Sequence, residues 1–232
     1  MAQILPNSPL VKTVFEIRFA LNLGVDAGKH SFSEEMKKYP IVAIPDTIQN
    51  VNPMLLPIQL ISEDSKKTLT FSSQLFSFSS LHYEGFEKFK KEAMEITNHF
   101  VKKFDIKNVV RIGLLYVNNI PLEIAREGKV NIADYLQFGL QLPPNTFGDE
   151  LTGFTVSFTH RYNNDTLRTD IQPRPKESDK TNTMILNFDY FVDRKTPVGD
   201  LGNFIVRGHE KVEKTFLNIT THKYQEYMRG VV

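Results

Sequence analysis

Val11-Lys12-Thr13-Val14-Phe15-Glu16-Ile17-Arg18-Phe19 sets Val11, Thr13, Phe15, Ile17 and Phe19 in alternation with Lys12, Glu16 and Arg18. A period of two marks a strand with one buried face. Residues 109–117 repeat that character, and the elements after each of these two strands decide the fold. After the first, Ser31-Phe32-Ser33-Glu34 reads as a capping box that opens a short helix ending before Pro40. The proline-punctuated connection from 40 to 57 leads to three strands at 58–61, 68–72 and 75–80, with a turn at 63–66 between the first two. From Phe86 the period changes. Phe86, Phe89, Ala93, Ile96, Phe100 and Phe104 step by three and four along one helical face.

The order then recurs. After the strand at 109–117, Asn131-Ile132-Ala133-Asp134 can cap a helix running to about Phe138. A connection comes next at 139–153 with Pro143 and Pro144. Three strands succeed it: Phe154, Val156 and Phe158; Leu167 and Ile171, after a turn at 163–165; and Met184, Leu186, Phe188 and Tyr190. Residues 173–180 read as a loop. A last helix places Ile205, His209, Val212, Phe216 and Ile219 on one stripe, with Lys211 opposite. The prediction is an α+β fold of two β-α-β-β-β-α repeats, residues 1–106 and 107–232. Together they form one curved antiparallel sheet with two long helices packed on one face.

The 232 residues include 41% hydrophobic, 24% charged and 11% aromatic side chains, an ordinary globular balance that excludes disordered and fibrous classes. The formal charge is +1, and both halves are balanced, so no basic arm announces a nucleic-acid partner. With no cysteine, disulfides, thiolate zinc sites and cysteine nucleophiles are excluded. No stretch has the length and apolarity of a membrane span, and no basic region followed by an apolar run stands at the start. A cytoplasmic location without membrane contact is expected.

Reactive constellations are scarce. His30, His82, His99, His160, His209 and His222 show no metal-ligand spacing, so no metal site is expected. There is no phosphate loop, GxGxxG or GxSxG, and no cofactor is expected. His209 is either a core histidine bonded to a backbone or carboxylate group, or a general base facing a pocket. Arg111 precedes Gly113 in a predicted central strand and needs a carboxylate partner such as Glu16; Asn118 is expected to end that strand with a turn bond. Arg111, Asn118 and His209 are therefore the candidate pocket residues. On the polar faces of the later strands Arg161, Arg168, Asp170, Asn187 and Asp189, with Arg174 beyond them, form the candidate binding surface. This is a solvated face with ion pairs, an anion or nucleic-acid surface where Lys176 would add a phosphate contact, or, least favoured, a metal-binding carboxylate pair.

Several words, in order and spacing, resemble a sporadically distributed prokaryotic family of proteins of about 250 residues. They are Pro9-Leu10-Val11 with Val14-Phe-Glu-Ile-Arg-Phe19, Tyr83-Glu-Gly-Phe86, Arg111-Ile-Gly-Leu-Leu-Tyr-Val-Asn118, and His209 with Phe216 and Ile219-Thr220. The family pattern often has tryptophan at the place of Phe86 and arginine at that of Leu115. The resemblance implies no particular activity, and its patchy occurrence points to mobile-element or defence contexts. The leading expectation is a non-catalytic binding or interaction module with a protein partner or a second copy of itself. The alternatives are a nucleic-acid-binding protein using the sheet and its arginines, and an enzyme with a pocket near His209 and Arg111.

Overall fold

The computed structural model describes residues 5–44, 56–122, 132–139, 154–174 and 182–231. Its centre is the pair formed by β1 (Leu10–Arg18) and β7 (Arg111–Pro121). The two strands run antiparallel, with Phe15 opposite Leu114 and Ile17 opposite Ile112. On the β1 side the sheet continues through β5 (Leu75–Ser80), β4 (Lys67–Ser72) and β3 (Ile58–Ile61) to β2 (Ile41–Ala43). On the β7 side it continues through β10 (Thr183–Val192) and β9 (Asp165–Arg174) to β8 (Val156–Tyr162). Every pairing is antiparallel, and the nine-stranded sheet is open, with β2 and β8 at its edges. A two-stranded sheet of β6 (Asn108–Val109) and β11 (Thr196–Pro197) stands apart.

Alternation decides which face is covered. Phe15, Ile17, Phe76, Phe78, Leu114, Tyr116, Phe188 and Tyr190 all point to one side and are buried. Against that side lie α1 (Leu23–Glu35), α2 (Phe86–Lys103) and α3 (Leu201–Ile219), and a short α4 (His222–Met228) comes after them. The fold is therefore mixed α and β, a large antiparallel sheet with four helices among the described residues. Burying apolar surface at about 25 cal/mol per Å² is the dominant favourable contribution here, and the buried side chains of both halves of the chain join one contiguous core.

Aromatic rings fill the junction of α1, α2 and the sheet. Phe100 lies 4.5 Å from Phe76 and 4.8 Å from Phe104, and Phe32 meets Phe71 edge-on at 5.1 Å. Gly28 makes the approach possible, because a Cβ there would stand 2.6 Å from the Phe104 ring. Gly208 does the same for α3, whose backbone comes so close that a Cβ would lie 2.8 Å from the Tyr190 ring. Beneath α3, the buried carboxylate of Asp165 accepts hydrogen bonds from the Tyr190 hydroxyl and the Arg207 guanidinium.

Several expectations need correction. The first helix begins at Leu23, not Ser31. Asn22 is its cap, with its side-chain oxygen accepting from the Gly24 amide, so the proposed capping box lies in the last turns. There Ser31 accepts a hydrogen bond from Lys103 instead. Of the helix expected from Asn131 to Phe138, only a 3-10 turn at Ile132–Asp134 forms, and Asn131 lies outside the described residues. The chain after it spends its backbone groups on the end of α3: Gln137 N–H donates to Ile219 at 2.7 Å and Thr221 N–H to Tyr135 at 2.9 Å. The proline-rich connection contributes the edge strand β2, and the expected loop at 173–180 begins as the last two residues of β9. Residues 45–55, 140–153 and 175–181 lie outside the description.

On α3, Phe216 is only partly buried, and Lys211 is not on a bare face, because its ammonium lies over the Tyr162 ring at 4.7 Å. The buried residues of this helix are Leu201, Phe204, Ile205, Gly208 and Val212. Phe204→Ala is therefore expected to cost about 3–5 kcal/mol in urea titrations. Phe216→Ala, at a site solvent already reaches, is expected to cost about 1–2 kcal/mol. Gly208→Ala is expected to cost about 1–3 kcal/mol by forcing α3 from the sheet. Equal losses for Phe204→Ala and Phe216→Ala would contradict this packing.

Candidate functional site

The polar residues singled out in the later strands do share one face, the one turned away from the helices. Register brings Asp189 opposite Arg168 and Asn187 opposite Asp170, and Arg161 lies on the same side opposite Thr166. The charges answer one another. Arg168 Nε donates to Asp170 at 3.0 Å, and the Ser157 hydroxyl donates to the same carboxylate. Arg111 also lies on this face. Its guanidinium bonds Asp193 at 2.9 Å and Asp189 at 3.2 Å and covers the Phe191 ring at 4.3 Å. The partner of Arg111 is thus not Glu16, which accepts from Arg18 instead. A Cβ on Gly113 would stand 3.8 Å from the Arg111 guanidinium, an ordinary contact, so the pairing does not depend on the glycine. Burial pushes the Asp189 carboxyl up despite the pull of Arg111 and Arg168. Arg174 pairs with Thr183 at the end of β9, and Lys176 lies outside the described residues. The face is mixed in sign, and its Arg111 and Arg168 are ion-paired.

The helix-covered face holds a different arrangement. There β7 points Tyr116 and Asn118 toward α3, two residues apart on one side of the strand. From α3, His209, Val212, Glu213 and Phe216 come down at helical spacing, and the turn after β5 adds Leu81, His82 and Tyr83. Leu5, Ser8, Pro9 and Leu10 close the remaining side. That segment is pinned by Asn7, whose amide N–H and side-chain Nδ2 donate to the Met228 and Tyr227 carbonyls of α4 at 3.1 and 2.8 Å. Together these walls enclose a cleft of about 260 Å³, with the buried Phe188 as its floor.

At its centre the Tyr116 hydroxyl and His209 Nδ1 are 3.1 Å apart, and the imidazole is stacked on Phe86 with ring centres 3.8 Å apart. Burial holds the imidazole below its ordinary value, against the opposing pull of Glu213, Glu210 and Glu87. Burial likewise raises the Tyr116 hydroxyl well above the usual phenol and lifts Tyr83 to about 12. At neutral pH His209, Tyr116 and Tyr83 are therefore uncharged hydrogen-bonding groups set beside apolar walls.

Of the candidate pocket residues, Asn118 and His209 meet in this cleft and Arg111 does not, because strand alternation sends residue 111 to the opposite face. Asn118 does not end its strand. It is buried, donates to the Leu186 carbonyl at 3.0 Å, and β7 runs on to Pro121. His209 is bonded to a phenol rather than to a backbone or carboxylate group. Tyr83, Tyr116 and Glu213 escaped the sequence reading. The only sequence signals were the Tyr83 and Tyr116 words and the spacing of Glu213, one turn beyond His209. Among the described residues no cluster could hold a metal ion, and no helix is long and apolar enough to cross a membrane.

A depressed histidine has a definite stability signature. His209 is held neutral in the folded chain, so its contribution is present above the ordinary imidazole value. That contribution is lost as pH falls from there through the lowered folded value. Denaturation midpoints are expected to drop across that window, and His209→Gln to flatten that part of the curve. A His209 imidazole that titrates by NMR at or above the ordinary value would refute the argument.

Compared with known proteins, the chain matches no family model and no curated protein.

Proposed function

We propose that this chain is a non-catalytic binding module whose ligand site is the cleft between β7 and α3. The carrying observation is the Tyr116–His209 pair, a neutral hydrogen-bonding couple held at 3.1 Å in a mostly apolar cleft. Concave, mostly apolar sites with a few convergent polar groups are where small ligands bind. A second support is that several of the sequence words quoted for the family resemblance contribute here: Pro9 and Leu10, Tyr83, Tyr116 and Asn118, and His209 with Phe216 line the cleft, and Phe86 stacks behind His209. The catalytic reading loses its cation, since Arg111 lies across the sheet. The nucleic-acid reading rests on Arg161, Arg168 and Arg174, of which Arg168 already holds a carboxylate.

We further infer that residues 1–106 and 107–232 are copies of one unit. The strand order supports this, since it runs outward from β1·β7 as β5-β4-β3 on one side and β10-β9-β8 on the other. In each half, a long helix comes after the strand that adjoins the central pair.

Small, soluble fragments of either charge, screened by NMR against methyl-labelled protein, are expected to shift the signals of Leu10, Leu81 and Val212. Those of Val14 and Leu115 on the open face should stay in place. Saturating fragments should also raise stability, by about 2.7 kcal/mol at a hundredfold excess over Kd. Shifts confined to the open face, or none at the cleft at millimolar concentrations, would refute the assignment.

A further inference from the structure

We propose that the cleft takes a small organic cation, an alkylammonium or quaternary ammonium group, held against the rings of Tyr83, Tyr116 and Phe216 with the Glu213 carboxylate as its counter-charge. This rests on reading the cleft as the ligand site and adds the chemistry of the occupant.

The walls give the first argument. Tyr83 and Tyr116 have ring centres 6.2 Å apart and planes at 71°, and Phe216 meets the floor ring of Phe188 at 6.1 Å and 74°. Rings set nearly at right angles turn their faces in different directions, and Tyr83, Tyr116, Phe188 and Phe216 all line the cleft. Each face carries the negative part of the ring quadrupole, which attracts a cation within about 6 Å of the ring centre.

Charge gives the second. The lining contains no lysine or arginine, and Glu213 is its one carboxylate. Glu213 raises the proton affinity of Tyr83, Tyr116 and His209, by less than burial contributes at each. Glu87 adds to it at Tyr83 and His209, and Glu210 at His209. The one lysine that bears on His209 is Lys90, which lies over the Phe86 ring at 5.3 Å and is paired with Glu87 at 2.7 Å.

Donor supply gives the third. An anion needs N–H or O–H groups aimed at it; the Asn118 amide donates to the Leu186 carbonyl and the Tyr116 hydroxyl and His209 Nδ1 bond each other, which leaves the buried Tyr83 hydroxyl, a single uncharged donor, without a partner among them. A cation needs only the ring faces and the carboxylate. The volume, about 260 Å³, falls below the range of about 300–1,000 Å³ typical of drug-sized pockets and suits a compact head group.

The test compares choline with 3,3-dimethylbutanol, in which carbon replaces the charged nitrogen at the same shape, and with 3,3-dimethylbutanoate. Each is titrated by NMR into wild-type protein, Glu213→Gln and Phe216→Leu, with thermal midpoints recorded for every variant. Choline is expected to shift Leu81 and Val212 at concentrations about tenfold below those the alcohol requires. Glu213→Gln, a change at an exposed position, should weaken choline about tenfold and leave the alcohol unchanged. Phe216→Leu keeps apolar bulk but removes a ring face, and should weaken choline selectively. Equal binding of choline and alcohol, or tighter binding of the carboxylate, would overturn the cation assignment while leaving the cleft as a ligand site. If no probe and no uncharged aromatic fragment perturbs the cleft, both readings fall.

Discussion

Everything in this structure hangs on the pairing of β1 with β7. These two strands come from opposite halves of the chain, and between them the sheet backbone of one half meets that of the other. Their register is set by what must be buried. With Phe15 opposite Leu114 and Ile17 opposite Ile112, both strands send their large apolar side chains under the helices. A slip of β1 by one residue would turn Phe15 and Ile17 to the open face and bring Glu16 and Arg18 to the helix-covered side. Once the central register is fixed, β5 and β10 can each add only in the phase that buries Phe76 and Phe78 on one side and Phe188 and Tyr190 on the other. The helices then dock on a surface whose shape is already decided, and Gly28 and Gly208 mark where they come closest.

The strands were legible in the sequence because alternation is a property of single residues and their immediate neighbours. Val14 and Phe15, or Asn187 and Phe188, declare their faces without reference to anything distant. The two long helices were legible for the same reason, through the stripe from Phe86 to Phe104 and the one from Ile205 to Ile219. Misreadings arose where a distant contact outweighed a local signal. Ser31 and Glu34 carry a sound capping pattern, but Asn22 caps earlier, and the two glycines ahead of that pattern are tolerated inside the helix. At one of them, Gly28, the Phe104 ring demands the missing Cβ. Tertiary packing overrides a propensity difference of about 1 kcal/mol per glycine with ease. Likewise Ile132 begins a turn that does not grow into a helix, because the backbone after it is bonded to the end of α3, far along the chain.

The candidate site was less legible than the fold, and the reason is geometric. Strand periodicity says that Arg168 and Asp170 share a side, but not whether that side is also the side of Asn187 and Asp189; only the register across β9 and β10 decides it. Nor does it reveal that the resulting patch consumes its own charges. Arg111 shows the limit most clearly. Its need for a carboxylate was readable from its place in a central strand, while the identity of the partner depended on which neighbour of β7 came closer. Asp189 on β10 takes that role, leaving Glu16 on β1 to Arg18.

The cleft shows how the central register carries through to function. Leu10 closes one wall because it stands opposite Asn118, and Tyr116 reaches His209 because it stands between Thr13 and Phe188, on the face to which α3 is docked. The register shift between Leu10 and Lys12 falls at this end of the pairing, where the entering segment must bend to meet the carbonyls of α4. A strand irregularity of this kind re-aims the chain without disturbing the ladder beyond it. The sheet can therefore keep its strict alternation from Thr13 to Arg18 while the residues just before it become the wall of a cavity. No one element contains that cavity. It exists where an entering segment, two strands, a turn and a helix meet at one end of the β1·β7 pair, so any change that loosens this pairing should open the cleft before it unfolds the core.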